Sequence, residues 1–379
     1  MKVLLIGEYS GVHTNLTKAL REKGYNVLCI HNGDGYKDFN ADNYIKYNRY
    51  VSKNNFINFL LSLYYRLLTY VGLKGVFQIF KYRKILNELK GYDIVQLINP
   101  IFLSDFGFFV NYAIFIKLKK HNRKIFMCAL GDDYYWVKCC LSGNYKYTMF
   151  DRLSFKTLKN YSSQLLWVFN PLYIFLNKYI LNKVNAVIPG LFDYYVAYSH
   201  SPKCSKIVPI IMQSSDQELS ISYPLKIFHG WQFGKEYRKG NDVIDEVFTM
   251  LKNKYPNMID YEVIGGLPYS IYIEKFNSCH IFVDQCYSYD CGVNGLLGMS
   301  YSKVVLSGME EEVKRYYNLD YEPLVNITPN KDDLFKCLED LIKNPKKMEE
   351  YSVNARKFIE KYHSSDYVLD KYEEVWSKY

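Results

Sequence analysis

The apolar positions of this chain fall into short unbroken runs separated by segments of helical spacing. Residues 2–6 (KVLLI) form one run, 15–23 have helical character and 25–31 form a second run. Runs of this kind suit strands covered on both faces, and a strand–helix–strand unit of this length implies a parallel sheet with a right-handed crossover. Thr14 or Asn15 suits the start of the intervening helix, and Gly24 its end. Further runs predict strands over 92–100, 123–131 and 184–190. A second series opens near Leu225, with strands predicted over 225–230, 261–266, 280–286 and 303–308 and helices over 241–256, 268–279 and 292–302. From about Lys331 to the end the pattern is helical.

Two series of similar size, 1–200 and 201–379, predict two Rossmann-like, doubly wound domains facing each other across a cleft, with the C-terminal helix crossing back. Ligands of such sheets bind beyond the carboxyl ends of the strands. The loops after Ile6, Leu130, Phe228, Ile264 and Val283 are therefore the expected site. One stretch departs from the pattern. Residues 54–84 read as a helical insertion in which Asn55, Asn58, Ser62, Arg66 and Thr69 form a narrow polar stripe on an otherwise apolar surface. A helix of that kind is buried or lies in a membrane interface.

Length and charge sharpen this picture. At 379 residues the chain exceeds a single small module and has apolar material for two cores. Lys and Arg outnumber Asp and Glu by 26 to 12 in residues 1–200, whereas residues 201–379 hold 22 and 27. The first half, at +14, is expected to meet something anionic. Lys74, Lys81, Arg83 and Lys84 lie in the tail of this insertion, and Lys117, Lys119, Lys120, Arg123 and Lys124 make a second cluster. Basic residues beside an apolar helix favour an anionic membrane surface over a nucleic-acid partner. No stretch makes a convincing transmembrane span, and the first residues read as a buried strand, not a signal peptide. Nine cysteines, an odd number with no CxxC pair, suit reduced thiols in a cytoplasmic protein.

Candidate chemistry gathers at the strand ends. The first loop, from Gly7 through Gly11 to His13, joins a strand to a helix, so its amides suit an anion and His13 could take a proton. It lacks the GxGxxG spacing of dinucleotide-binding enzymes. Asp132 and Asp133 follow Gly131 at another strand end, where they could hold sugar hydroxyls, orient a base or cap a helix. No Asp-x-Asp occurs, so a carboxylate clamp for a metal-bound diphosphate is missing and no metal site is expected. Charge neutralisation falls to His229, Gly230, Lys235, Arg238, Lys239 and Gly240 in the second half. Gly265 and Gly266, before Leu267 and Pro268, suit close approach of a flat ring. Tyr287 and Tyr289 suit stacking, and Gly292 and Asn294 place amides and polar groups at a helix start.

Taken together, GEYSGVHTNL at the start, Arg238-Lys239-Gly240, and DQCYSYDCGVNGLLGMSYSKVVLSG near the end resemble the GT-B glycosyltransferases. The nearest match is the family 4 type of bacterial surface-polysaccharide synthesis, and the likeness runs from Met1 to about Val325. It implies a donor diphosphate gripped by Lys239 and Arg238, with Gly11 and His13 matching the family's first loop. The family's two glutamates, eight positions apart, fall on Tyr289 and Leu297 here. Asn294, Ser307, Gly308 or Glu310, Glu311 and Glu312 would then hold the donor ribose. Retention is the leading stereochemistry, with inversion open through His13 and Asp132 or Asp133.

The resulting expectation is a transferase with a nucleotide-diphosphate sugar as co-substrate and no other cofactor. Its acceptor would be a saccharide, lipid-linked, met by the basic first domain. It would lie at the inner face of the plasma membrane, with no nucleic-acid partner. A catalytically degenerate sugar-binding or scaffold protein is the alternative.

Overall fold

Strand β1 (Lys2–Ile6) lies inside a six-stranded parallel sheet whose other members are β2 (Asn26–His31), β3 (Asn43–Tyr44), β4 (Ile94–Leu97), β5 (Lys124–Ala129) and β6 (Ala186–Pro189). Their order is β3-β2-β1-β4-β5-β6. The computed structural model describes residues 1–34, 39–231, 234, 236–266 and 269–379. Leu5 sits between Cys29 and Gln96 in register, and β1, β4 and β5 are buried along nearly their whole length, as their unbroken apolar runs require.

A second parallel sheet has the order β11-β10-β9-β7-β8, built from β7 (Leu225–Gly230), β8 (Ile259–Ile264), β9 (Ile281–Val283), β10 (Val304–Ser307) and β11 (Val325–Asn326). The two sheets with flanking helices are the two doubly wound domains expected. The first carries α1 (Val12–Glu22), α2 (Asn55–Tyr70), α3 (Arg83–Asn87), α4 (Phe108–His121), α5 (Tyr134–Leu141), α6 (Ser162–Phe169), α7 (Pro171–Lys183) and α8 (Phe192–Tyr198). The second carries α9 (Glu236–Lys239), α10 (Asn241–Lys254), α11 (Tyr269–Ser278), α12 (Val293–Ser300), α13 (Glu311–Tyr317), α14 (Lys331–Lys343) and α15 (Pro345–Tyr362).

The last helix, α16 (Ser365–Lys378), returns to the first domain. It packs on α1, Trp376 is buried with its Nε1 donating to Gln96 Oε1 at 3.3 Å, and Tyr25 OH donates to Glu373 at 2.6 Å. This crossing ties the two domains by chain as well as by contact. Lys124, grouped with the basic cluster in the sequence, donates instead to the Trp376 carbonyl at 2.7 Å.

The insertion differs from one continuous helix. Its first helix, α2, ends at Tyr70, and Gly72 and Gly75 beyond it take φ of +77° and +83°, a region that helical L residues do not enter. A 3₁₀ turn (Gln78–Tyr82) and α3 complete it. Only Tyr65 of α2 is buried. Asn58, Ser62 and Thr69 of the polar stripe are half-buried on the protein side, while Phe56, Phe59, Leu60, Leu63, Leu67 and Tyr70 face outward. The helix thus presents its apolar side to the surroundings, the reverse of an ordinary surface helix. Among the described residues no helix is long and apolar enough to cross a membrane.

Candidate functional site

The strand ends of both sheets converge on a cavity of about 310 Å³ between the domains. Its first-domain wall comprises Tyr9, Ser10 and Val12 after β1, Leu130 and Gly131 after β5, Trp136 and Cys140 on α5, the 145–149 loop, and Leu191, Asp193 and Tyr194 at the start of α8. Its second-domain wall comprises Arg238 and Lys239 on α9, Asp284, Gln285 and Tyr287 to Tyr289 after β9, and Gly292 to Asn294 opening α12. Parallel β–α units place every one of these groups at the same end of its sheet.

Lys239 is fixed from two sides. Its Nζ lies 2.6 Å from Asp284 Oδ1, and its carbonyl accepts from Cys286 N at 2.9 Å. The second oxygen of Asp284 accepts from Gly292 N and Ser307 Oγ, each at 3.2 Å. One buried carboxylate therefore fastens the lysine, the mouth of α12 and the end of β10 into one frame. Such a frame presents a cation and helix-start amides to the same volume, which suits a bound anion.

Arg238 is engaged across the cleft. Its guanidinium makes a paired contact with Asp132, at 2.6 and 2.8 Å, and lies 5.7 Å from the centre of the Trp136 ring. Gln164 Nε2 also donates to Asp132, at 3.0 Å. Two more contacts bridge the domains: Arg152 pairs with Asp242 at 2.5 and 3.0 Å, and Glu310 accepts from Lys146 Nζ at 2.9 Å and Tyr147 OH at 2.5 Å. The cleft is held closed by charge pairs whose partners are 90 to 164 positions apart in sequence.

Several expected site residues sit elsewhere. His13 does not face the cleft: it is fully buried on the inner face of α1, its Nδ1 donates to Gly7 O at 2.7 Å, and burial pushes its pKa down to about 3. The reason is helical period, since 13, 16, 17 and 20 form the inward face of α1. Asp133 caps α5, accepting from Trp136 N at 2.8 Å and from Tyr198 OH at 2.7 Å, and burial raises it to about 6. His229 is buried in a chain in which Asn241 donates to Nε2 at 2.9 Å and Nδ1 donates to Tyr261, which donates on to Asp245. Burial and then the Lys239 charge depress it to about 3, so it supplies no cation.

Gly230 accepts from Asn241 and lies outside the cavity wall, as do Gly265 and Gly266 at the end of β8. Leu267, Pro268 and Lys235 lie outside the described residues. Gly11, at φ +87°, starts α1 between the wall residues Ser10 and Val12. Glu311 is exposed on the first turn of α13, paired with Lys314 at 2.5 Å, and Glu310 is the buried member of that trio. Tyr289 lines the cavity and its hydroxyl accepts from Lys146 N, while Leu297 packs against the core. Of the candidates, Arg238, Lys239, Tyr287, Tyr289, Gly292 and Asn294 meet in one volume.

Sequence reasoning passed over Asp193. The strand-end rule applies equally to the loop after β6, and an acid in the first turn of the following helix is its signal. Asp193 Oδ2 accepts from Ser288 Oγ at 2.8 Å and Oδ1 from Tyr289 N at 3.2 Å, while Asp290 of the same loop accepts from Phe192 N at 2.8 Å. Burial, then the Asp290 carboxylate, pushes Asp193 up to about 7.

Two parallel-sheet domains in this order, with a cleft at their strand ends, make the GT-B fold of glycosyltransferases. Among solved structures the chain is similar to sucrose-phosphate synthase from Thermosynechococcus elongatus, with TM-score 0.58 and 10% identity over 100% of this chain and 98% of that one. It is also similar to HepE of Anabaena in complex with UDP-glucose (TM-score 0.57, 11% identity, 100% of each chain) and to the lipopolysaccharide outer core galactosyltransferase WaaB (TM-score 0.54, 13% identity, 100% of each chain). No protein-family profile and no curated relative matches the sequence. At these identities the likeness is one of fold.

Proposed function

We propose that the chain is a glycosyltransferase that moves a sugar from a nucleotide-diphosphate donor on the second domain to a saccharide acceptor on the first. The carrying observation is the frame in which Asp284 holds Lys239 against the start of α12, beside Arg238, inside the cleft of a GT-B fold. A departing diphosphate develops negative charge, and two cations with helix-start amides stabilise it without a divalent ion. HepE, crystallised with UDP-glucose, shares the fold. A thermal-shift panel of UDP-, GDP-, ADP- and CMP-sugars tests the reading: selective stabilisation by one donor supports it, and no shift with any contradicts it. The second reading, a non-catalytic sugar-binding protein, rests on Tyr289 and Leu297 standing where the resembled family has glutamates. Donor binding without transfer or hydrolysis would favour it.

Asp132 bears on donor affinity. Its carboxylate occupies the guanidinium that the diphosphate would use, so a donor must displace it. Asp132→Asn removes that competitor, and nucleoside diphosphate is expected to bind about three- to tenfold more tightly, the scale of one partly exposed ion pair. Calorimetric titration with UDP and GDP reads this directly, and weaker binding would contradict it.

The exposed face of α2 belongs to the basic first domain; Phe77 and Phe80 farther along the same insertion are exposed too, as are Lys53, Arg66, Lys81, Arg83 and Lys84. Lys117 reaches Asn87 at 3.3 Å, which brings the two basic clusters together. Exposed apolar side chains on a segment that also carries exposed cations fit the headgroup region of an anionic leaflet, and support a peripheral enzyme at the cytoplasmic membrane face acting on a lipid-linked acceptor in surface-polysaccharide synthesis. Replacing Leu63 and Leu67 by Glu is expected to reduce co-flotation with phosphatidylglycerol vesicles at least tenfold, each buried leucine contributing about 1.5 kcal/mol or more. Undiminished flotation would contradict membrane docking by this face.

A further inference from the structure

Residues 152–192 of the first domain contain no Asp or Glu and five Lys or Arg, and within them 160–177 carries no charged side chain at all. An uncharged run of that length ordinarily belongs to a core. This one is only half inside. Tyr161, Gln164, Tyr173, Leu176 and Ile180 are buried and anchor the segment. Phe155, by contrast, is fully exposed and Phe169 is 73% exposed, with Leu158 and Phe175 exposed as well. Leu165 to Val168, four consecutive apolar residues of α6, are no more than half-buried.

Hydrogen bonds at the two ends of α6 fix where this surface lies. Near its start, Gln164 Nε2 donates at 3.0 Å to Asp132, the carboxylate that pairs with the cavity residue Arg238. At its end, Asn170 Nδ2 donates to the Tyr70 carbonyl at 2.6 Å, and Tyr173 OH donates to the Thr69 carbonyl at 2.8 Å. The segment therefore abuts the last turn of α2. Six residues, about 9 Å of helix, separate the edge of the cleft from the helix whose apolar side faces outward.

We infer that α6 and the start of α7 form a second docking segment for an anionic leaflet, continuous with α2, which places lipid headgroups at the rim of the cleft. This rests on the membrane reading of α2 above and extends it. Three features select that occupant. The exposed groups are aromatic and aliphatic, the kind that gain by leaving water for the headgroup and acyl boundary. Exposed lysines stand on both sides of the uncharged run, Lys156 and Lys159 before it and Lys178 and Lys183 after it, with no carboxylate between them to repel an anionic surface. A second copy of the chain laid on this face would bring the same cations together, whereas anionic headgroups neutralise them.

The consequence for function is one of reach. An acceptor anchored in the leaflet finds the cleft by diffusion in the membrane plane, and its saccharide has only the length of α6 to cross.

The test uses the full chain with phosphatidylcholine vesicles, with and without phosphatidylglycerol. Wild type should float with the anionic vesicles. Phe155→Glu combined with Phe169→Glu should lower that flotation at least about tenfold, because two exposed rings are lost and two negative charges face the headgroups. Both rings are exposed, so the melting temperature should be kept. A contact readout runs alongside. The emission added by Phe169→Trp should be quenched by brominated phosphatidylglycerol, and that added by Val353→Trp, exposed on α15 of the second domain, should not. If the double glutamate variant melts early, the quenching pair decides alone. Flotation of a stably folded double variant within threefold of wild type overturns the proposal, as does equal quenching at the two positions. A wild-type dimer that the double variant abolishes while flotation persists overturns it in favour of self-association. A wild type that does not float removes the membrane reading of α2 itself, and the proposal with it.

Discussion

Replacing Lys239 by Ala is expected to lower turnover of the nucleotide sugar by about 100-fold or more, the usual consequence of deleting one preorganised donor aimed at developing charge. The lysine stabilises the leaving diphosphate, so the loss should appear in kcat as well as in KM. A second effect accompanies it. Asp284 is 1% exposed and would lose its cation, although Gly292 N and Ser307 Oγ still donate to it. Lys239→Ala should therefore also lower the melting temperature, since an unpaired buried charge is costly. The double variant Lys239→Ala, Asp284→Asn separates the two effects: the melt recovers while turnover stays low. Turnover within threefold of wild type in Lys239→Ala would refute the role of the lysine.

Gly308→Ala is expected to destabilise the fold by about 3 kcal/mol or more, at the upper end of overpacking costs. A Cβ on Gly308 would meet the Ser288 carbonyl oxygen and lie 2.7 Å from its carbon. Both obstacles are backbone, so no side chain can swing aside. The loop that must move carries Ser288 and Tyr289, which hold Asp193, and Asp290, which caps α8 from across the cleft. Denaturant unfolding reads the stability, and a change below about 1 kcal/mol would show that the end of β10 and the loop after β9 approach less closely than described.

The inner parallel strands were legible because each is an apolar run buried along nearly all its length; β8, at a sheet edge, keeps only its two ends buried, and β3 and β11, two residues each, have no run to read. The break in the 54–84 segment was legible in principle at Gly72 and Gly75, both in positive φ. His13 shows how position relative to a strand end misleads when helical period is not applied: a residue one step into α1 shares its face with Leu16 and Leu20 and must point inward. Arg238 and Lys239 could be placed because cations before a helix beside a strand end have few other uses. Their partners could not. Asp132 is 106 positions from Arg238, and Asp284 is 45 from Lys239, so only the closed fold pairs them. Asp193 became a site residue through groups on the other domain, 95 and more positions away, which no local pattern records.

The most direct test is a calorimetric titration of the full chain with UDP, GDP and ADP, in EDTA, repeated with Lys239→Ala. The account predicts that at least one diphosphate binds the wild type without added metal and that the substitution weakens it at least tenfold. Binding that requires a divalent ion, or that survives the substitution unchanged, would contradict it.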